Sequence, residues 1–220
     1  MLTTIYPEKF INHNLSLRNM TKTLIKTVFF LVIGLIIYNS VYFEKLSLRT
    51  SKSTENIDFK PIATKLYMDI LQINAIDLDS LQIALSQNGE AAFLKYGNRL
   101  GIGNSAYFMA NIEGEIITID KSEIMVKSKN GIQYHLDLMF IFGNAIRDAS
   151  KLVKLTDYKK TSEFNALSEA LNEIIREQKI PIETAELKTG DKISAKVAFK
   201  LGKKDTDLSK LTFTPITIRK

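Results

Sequence analysis

The order in which hydrophobic periodicities follow one another between residues 105 and 219 restricts the fold of this chain more than any other feature. Five segments alternate apolar and polar residues with the period of two that is typical of β-strands. These segments are residues 105–119, 122–128, 132–142, 192–201 and 211–219. A stretch with helical spacing separates the third segment from the fourth. Three strands, a helix and two strands are the element order of an OB-like five-stranded barrel, and a plain α+β sheet is the alternative.

Local signals predict the turns and the helix of this region. The Asn-Gly pair at 130–131 is typical of a β-hairpin turn, and Gly114 in the first segment predicts a bulge or a bend. Between the third and fourth segments, apolar residues step by three or four positions along one helical face, from Phe164 to Ile174. Pro181 is expected to lie beyond the end of this helix, because proline interrupts a helix interior.

Three short helices are predicted ahead of the first strand. Asp58 is a suitable N-cap for the first helix, and Asp77 or Asp79 for the second. The Asn-Gly pair at 88–89 ends the second helix, and a third extends to Gly97. A helical part therefore precedes the OB-like β domain.

A membrane anchor is predicted at the N-terminus. Residues 27–43 contain no charged residue, and a spanning helix needs about 17–25 mainly apolar residues. Basic residues precede this segment and a mixed flank follows it, so the positive-inside rule favours a cytoplasmic N-terminus. No small-residue cleavage site follows the apolar run, which favours an uncleaved signal anchor starting from either Met1 or Met20. A buried core helix is the soluble alternative.

The anchor divides the chain into parts with different environments. These parts are a cytoplasmic segment (1–26), a transmembrane signal anchor (27–43), a polar tether (44–56) and an extracytoplasmic domain (57–220) with a helical part (57–97) and an OB-like β domain (105–220). The expected protein is a single-pass protein of the inner membrane, whose C-terminal domain lies in the periplasm or outside the cell.

Composition excludes several classes of function. The sequence contains no cysteine, which excludes disulfides, cysteine nucleophiles, thiolate metal sites and a lipid-modified cysteine. The two histidines, His13 and His135, are far apart and lack metal-ligand spacing. The net charge is +6, but basic and acidic residues alternate along most of the sequence. A nucleic-acid-binding protein would concentrate its basic residues on one face or helix, so nucleic acid is not an expected partner. Neither a cofactor nor a metal site is predicted.

Several motifs occur together in the order seen in a known family. They are IDFKPIATKLYMDIL (57–71), the segment 93–120, GNAIRDA (143–149), EFNALSEALNEII (163–175), GDKISAKVAF (190–199) and FTPITI (213–218). On these motifs the chain resembles a bacterial family of predicted periplasmic lipoproteins of unknown function. The resemblance implies an envelope protein, often encoded beside sugar ABC transporter components, without an established activity. Members usually carry a lipobox cysteine or an anchor helix, and this chain has only the helix.

The motif GNAIRDA contains the main candidate site, and it has two interpretations. In the structural one, Asn144 caps a helix and Arg147 pairs with a carboxylate such as Asp137 or Glu163. Asp148 then lies in the first helical turn, where the helix dipole favours a negative charge. In the functional one, Arg147 and Asp148 form the polar floor of a ligand or partner site, since a guanidinium suits a carboxylate or a polyol.

Aromatic residues of the first and third predicted strands suggest a second surface. Tyr107 and Tyr134 lie on these strands together with several phenylalanines. OB-like barrels use this surface to bind oligosaccharides or oligonucleotides, and a domain outside the cytoplasm is expected to bind sugar. Core packing is the alternative explanation for these rings. Glu113 and Glu115 would need a second carboxylate set across a cleft to act as a glycosidase.

No catalytic set assembles from these residues, so an enzyme is not predicted. The first hypothesis is a non-enzymatic, membrane-anchored envelope protein that is accessory to transport or envelope assembly. It would act through a protein partner, for example in a sugar-transport system, or through a glycan. The second hypothesis is a direct carbohydrate-binding module that uses the barrel face and Arg147.

Overall fold

The chain divides into two compact units, residues 1–56 and residues 57–220. The computed structural model describes the following residues: Lys22, 24–36, Tyr38 and 57–220. The described residues of the first unit are helical, and no helix in the described part of the chain is long and apolar enough to cross a membrane. The end of the predicted anchor (27–43) and the whole predicted tether (44–56) lie outside the described residues.

Five strands of the second unit close into a barrel. They are β2 (Ser105–Ile119), β3 (Glu123–Ser128), β4 (Gln133–Asp137), β5 (Lys192–Gly202) and β6 (Thr212–Arg219). A two-residue strand, β1 (Ile76–Asp77), pairs in parallel with β2. The barrel order is β2-β3-β4-β6-β5, and β5 pairs with β2 to close it. Only β4 and β6 are parallel among these five described strands. The closed barrel confirms the OB-like prediction over a plain open sheet.

Strand β2 is shared between two neighbouring strands around Gly114. At Gly114 it pairs with Ser128 of β3 on one side and with Ile193 of β5 on the other. A Cβ atom at Gly114 would collide with the carbonyl oxygen of Lys127, so only glycine allows this close approach. The irregularity predicted at Gly114 lies slightly further on, as a register shift between Ile116 and Thr118.

Aromatic rings fill much of the barrel interior. Phe108 and Phe199 stack with centroids 5.5 Å apart, and Phe213 contacts both Phe199, at 4.9 Å, and Tyr134, at 5.7 Å. These rings are buried because successive residues of a strand point to opposite faces and these positions point inward. Phe108 and Tyr134 therefore belong to the core, as the packing alternative predicts.

In the second unit, two helices precede the barrel. The first, α1 (Phe59–Leu71), begins after Asp58, and the second, α2 (Leu78–Tyr96), begins after Asp77. Each aspartate accepts a hydrogen bond from a backbone N–H of the first turn, which confirms Asp58 as one N-cap and decides for Asp77 over Asp79 as the other. The predicted break between the second and third helices is a kink inside α2, where Asn88 has φ −151° and ψ 84°.

The segment between β4 and β5 is helical in several pieces. A short helix, α3 (Ala145–Ser150), is followed by α4 (Thr161–Glu173), by a π-helical stretch (Ile174–Lys179) and by α5 (Ile180–Thr184). The expectation that Pro181 lies beyond the helical segment is wrong. It lies in the first turn of α5, where proline is tolerated because it has no N–H to leave unpaired.

Lys196 joins the end of α1 to the barrel. Its ammonium group lies in the interior and donates to the carbonyls of Ile70, Leu71 and Ile73 at 3.2, 2.8 and 2.7 Å. The last carbonyls of a helix have no partner within the helix, and this lysine supplies one. Burial lowers the pKa of Lys196.

Candidate functional site

A cavity of about 420 Å³ lies between the chain leaving β4 and the exposed side of α4. The residues that line it are mostly amides and other polar groups. They are Phe142, Gly143, Asn144, Asn165, Ser168, Glu169, Asn172 and Arg176. The volume is within the range of about 300–1,000 Å³ found for small-molecule sites.

The polar wall of the cavity follows from helical spacing. Asn165, Ser168 and Asn172 are three or four residues apart, and residues with this spacing lie on one helical face. Leu167 and Leu171 alternate with them and are fully buried in the core. Helix α4 therefore packs one side against α1 and contributes the polar residues of its other side to the cavity lining.

Arg176 extends this wall from the π-helical stretch. Its Nη1 donates to the carbonyl of Ile141 at 3.1 Å, and its guanidinium lies 4.4 Å from the centroid of the Phe142 ring. A π-helical stretch changes the direction in which side chains project and is frequent at functional sites. Here it brings a cation and an aromatic ring together at the edge of the cavity.

The opposite wall is the turn that follows β4. Gly143 has φ 78°, a conformation that favours glycine. Its carbonyl accepts a hydrogen bond from Nδ2 of Asn172 at 2.7 Å. Asn172 is 4% exposed, and this part-buried bond joins α4 to the turn.

Ser168 is a lining residue of this cavity and has a buried, unsatisfied hydroxyl. The residue is 6% exposed, and its Oγ has no hydrogen-bond partner among the described residues. A buried hydroxyl without a partner costs about 1–3 kcal/mol of stability, so most are satisfied by protein or solvent. The Oγ atom is shielded from solvent, so a polar group of a bound molecule would satisfy it only once the side chain turns towards the cavity.

Arg147 and Asp148 form a buried ion pair beside the cavity rather than within it. Their side chains are 4% and 1% exposed, and Nε of Arg147 donates to Asp148 Oδ1 at 2.7 Å. The guanidinium also donates to the carbonyl of Phe164 at 2.9 Å and lies 3.4 Å from that ring's centroid. The expected pairing of Arg147 with Asp137 or Glu163 is therefore wrong.

Asn144 connects this ion pair to the cavity. Its Nδ2 donates to the second carboxylate oxygen of Asp148 and to the hydroxyl of Tyr107, the latter at 3.0 Å. The helix does begin after Asn144, but the side chain makes no capping hydrogen bond because it is used in this network. Asn98 completes the network by donating to the backbone carbonyl of Asp148 at 2.6 Å.

The structure thus brings four of the five candidate site residues together and separates the fifth. Arg147, Asp148, Asn144 and Tyr107 form one hydrogen-bonded chain, of which Asn144 alone lines the cavity. Tyr134 is fully buried inside the barrel.

Tyr134 has a partner of its own. Its hydroxyl donates to Oδ1 of Asp79 at 2.7 Å. Burial, followed by the bond to this carboxylate, raises the pKa of Tyr134. Tyr134 thus joins α2 to the barrel interior, away from the cavity-lining residues.

The cavity residues on α4 and the π-helical stretch were not predicted from the sequence. A signal for them exists, because polar residues recur every three or four positions within EFNALSEALNEIIR (163–176). This second periodicity is out of phase with the apolar one.

Other candidate groups remain apart from one another. Among the described residues no cluster of three or more His, Asp or Glu side chains is placed to hold a metal ion. His135 lies on β4 with Nδ1 3.8 Å from a carboxylate oxygen of Glu123. Glu113 forms an ion pair with Lys129 at 2.6 Å, and neither residue lines the cavity.

Comparisons with known proteins agree with the fold. The model of a family described as "Predicted periplasmic lipoprotein (DUF2291)" matches residues 31–219. The crystal structure of an OB-fold protein from Thermotoga maritima is similar to the chain, with a TM-score of 0.66 and 23% sequence identity. The likeness covers 75% of this chain and 99% of that one. No curated protein matches the sequence.

Proposed function

Since the chain belongs to this family of predicted periplasmic lipoproteins, we propose that it is a membrane-anchored envelope protein that binds a small polyhydroxylated ligand, such as a sugar. It acts as a non-enzymatic accessory in transport or in the envelope. The cavity between α4 and the turn after β4 is the binding site. The observation that carries this proposal is the unpartnered, buried hydroxyl of Ser168 in a wall of side-chain amides.

The lining chemistry suits a polyol. Each hydroxyl of a sugar both donates and accepts a hydrogen bond, and each Asn side chain offers two donors and an acceptor. Asn165 and Glu169 are exposed at the rim, where they are accessible to a ligand. The ring of Phe142 offers an apolar surface for the C–H face of a sugar, and it is 59% exposed.

The same lining supports binding rather than hydrolysis. Glycosidases usually use two carboxyl groups, about 5–9.5 Å apart, on either side of the scissile bond. Glu169 is the one carboxylate among the described lining residues, and Asp148 is held by Arg147 and Asn144. A ligand in the cavity would therefore meet hydrogen-bonding groups but no pair of carboxyl groups for general acid–base catalysis.

Arg147 has an indirect part in this site. Its ion pair with Asp148 holds the carboxylate oxygen that accepts from Asn144, and Asn144 forms part of the cavity wall. Carbohydrate binding by the barrel face and Arg147 is thus refined here to binding by the cavity, with Arg147 as a positioning residue.

A thermal-shift screen of the full chain in detergent against mono- and oligosaccharides tests the proposal. A ligand at a hundred times its Kd stabilises a protein by about 2.7 kcal/mol, which raises Tm measurably. The expected result is a sugar that raises the Tm of the wild type and of Asn104→Ala, but raises that of Asn165→Ala less. Asn104 is an exposed asparagine outside the cavity, so it is a matched control. If no sugar raises the Tm, or if both variants respond alike, the cavity is not the site.

We propose that residues 27–43 anchor the protein in the membrane in place of a covalently attached lipid, because the sequence has no cysteine that could be lipid-modified. Their lack of charge supports insertion of this segment. After expression in a bacterium, the full chain should remain in the membrane fraction through alkaline carbonate extraction, and a chain starting at residue 44 should be soluble. Extraction of the full chain by carbonate would contradict the proposed anchor, but it would leave the proposal that the cavity binds a sugar untouched.

A further inference from the structure

Two neighbouring loops expose aliphatic side chains that no other part of the described chain covers. In the loop between α2 and β2, Leu100 is 59% exposed and Ile102 is 99% exposed. In the loop between α3 and α4, Leu152 is 46% exposed and Leu155 is 51% exposed. Moving side chains of this size out of water is favourable. Single exposed ones are common, but here four lie on two adjacent loops.

Hydrogen bonds hold the two loops next to each other. Asn98 donates to the carbonyl of Asp148 at 2.6 Å, and Nζ of Lys151 donates to the carbonyl of Tyr96 at 3.3 Å. The first loop therefore leaves α2 at the same place where the second leaves α3. We call the exposed side of these two loops, residues 99–102 and 151–160, the basic–aliphatic surface.

This surface carries a concentration of positive charge. Its exposed cations are Arg99, Lys151, Lys154, Lys159 and Lys160. Asp157 is the only acidic residue within the two segments. In the described part of the chain none of these cations has a carboxylate within 4.0 Å, whereas many other surface lysines are paired.

We propose that the basic–aliphatic surface docks the domain onto the surface of an anionic phospholipid bilayer. Lysine and arginine near such a surface are attracted to anionic headgroups, and aliphatic side chains at loop tips enter the boundary between headgroups and acyl chains. The long stems of lysine can remain in the apolar layer while the ammonium reaches the headgroups.

A bilayer fits this surface better than an acidic protein does. The aliphatic side chains are placed at separate positions on two loops and do not line a cavity. Protein interfaces pack their apolar residues in a well-fitted core, whereas a fluid membrane accommodates separate side chains. The glycines on either side of Ile102 have open space around them, so this tip meets no steric obstacle from its own domain.

The absence of cysteine allows a direct test in the full chain. Ile102→Cys, labelled with an environment-sensitive fluorophore, is reconstituted from detergent into nanodiscs that contain phosphatidylcholine with or without phosphatidylglycerol. The label should shift to shorter wavelength in the anionic nanodiscs, and lipids brominated near the headgroup should quench it. Ile182→Cys serves as a control, because Ile182 is an equally apolar residue on α5 that is 77% exposed.

Removing two lysine charges distinguishes docking through this surface from mere proximity of the anchored domain to the membrane. In Lys154→Gln combined with Lys159→Gln, the population of the quenched state should fall on the order of tenfold, because each cation near the surface contributes to binding. The proposal is overturned if the labels at 102 and 182 respond alike, if phosphatidylglycerol has no effect, or if an acidic protein but not the lipid shifts the label.

Discussion

Arg147 has the chemistry of a ligand-binding residue, but the protein uses its donors internally. The guanidinium is enclosed by Asp148, by the carbonyl of Phe164 and by the ring of the same phenylalanine. A buried charge is tolerated only when it is paired and hydrogen-bonded. The motif at 143–149 is thus both a structural corner and the support of a cavity wall, through Asn144.

Replacing Arg147 by alanine should strongly destabilise the domain, because Asp148 would keep a buried charge without its partner. Breaking a buried ion pair by removing one side costs about 3–5 kcal/mol. Arg147→Lys should lose less, since it keeps the charge but not the planar fork of donors. Urea denaturation of the variants measures both effects, with the exposed Lys159→Ala as control, for which a change below about 0.5 kcal/mol is expected. A loss below about 1 kcal/mol for Arg147→Ala would contradict the pairing.

The partner of Arg147 could not be predicted from the sequence. Adjacent residues of a helix do not face each other, so sequence reasoning favours carboxylates further away, such as Asp137 or Glu163. Helix α3 has only six residues, and the burial of both side chains in its tertiary environment decides the pairing. The site residues near Arg147 could be identified from the motif, but their contacts could not.

At the scale of elements, Gly114 is the residue of β2 that allows the close approach of β3. Strand β2 pairs with β3 along its second half and with β5 along most of its length, and both partners meet it at Gly114. The order of elements along the chain and the hairpin at 130–131 follow from periodicity and turn chemistry, and both were predicted. The close approach of the Lys127 carbonyl to Gly114 depends on how β2 and β3 pair in the folded protein, which periodicity does not reveal.

Gly114→Ala should therefore destabilise the barrel, because its methyl group would overlap the Lys127 carbonyl. Overpacking of this kind costs about 1–3 kcal/mol. Gly103→Ala is the matched control, since a Cβ atom there meets nothing within 4 Å and the backbone φ is not positive. Thermal unfolding compares the two variants, and equal Tm values would show that the strand can move aside without cost.

The helical segment after β4 could be predicted only in part from the sequence. Apolar spacing predicts α4, but no pattern of side chains marks the change to π-helical hydrogen bonds at Ile174. The segment therefore continues through Pro181, which was expected to end it. The apolar face of α4 predicts the helix, but the predicted site does not include Asn165 and Ser168 of its polar face.

At the scale of the whole molecule, the barrel holds two separate surfaces in fixed positions. The cavity lies beside α4, and the basic–aliphatic surface lies on the loops before β2 and after α3. The network of Asn98, Asp148 and Asn144 connects them, because Asn144 lines the cavity and Asn98 directly precedes Arg99. Composition and family resemblance indicate an envelope protein, whereas the position of these surfaces requires the folded chain.

The central claim is that the cavity binds a sugar through its amides and the Ser168 hydroxyl. Calorimetric titration of the full chain with the best sugar from the thermal-shift screen tests it most directly. The matched pair of variants is Ser168→Ala and Ser128→Ala, because Ser128 also has a buried hydroxyl without a partner but lies on β3 outside the cavity.

We expect Ser128→Ala to bind like the wild type and Ser168→Ala to bind about 2–10-fold more weakly, as the loss of one hydrogen bond implies. Equal affinities for all three proteins, or no heat of binding with any sugar, would contradict the claim.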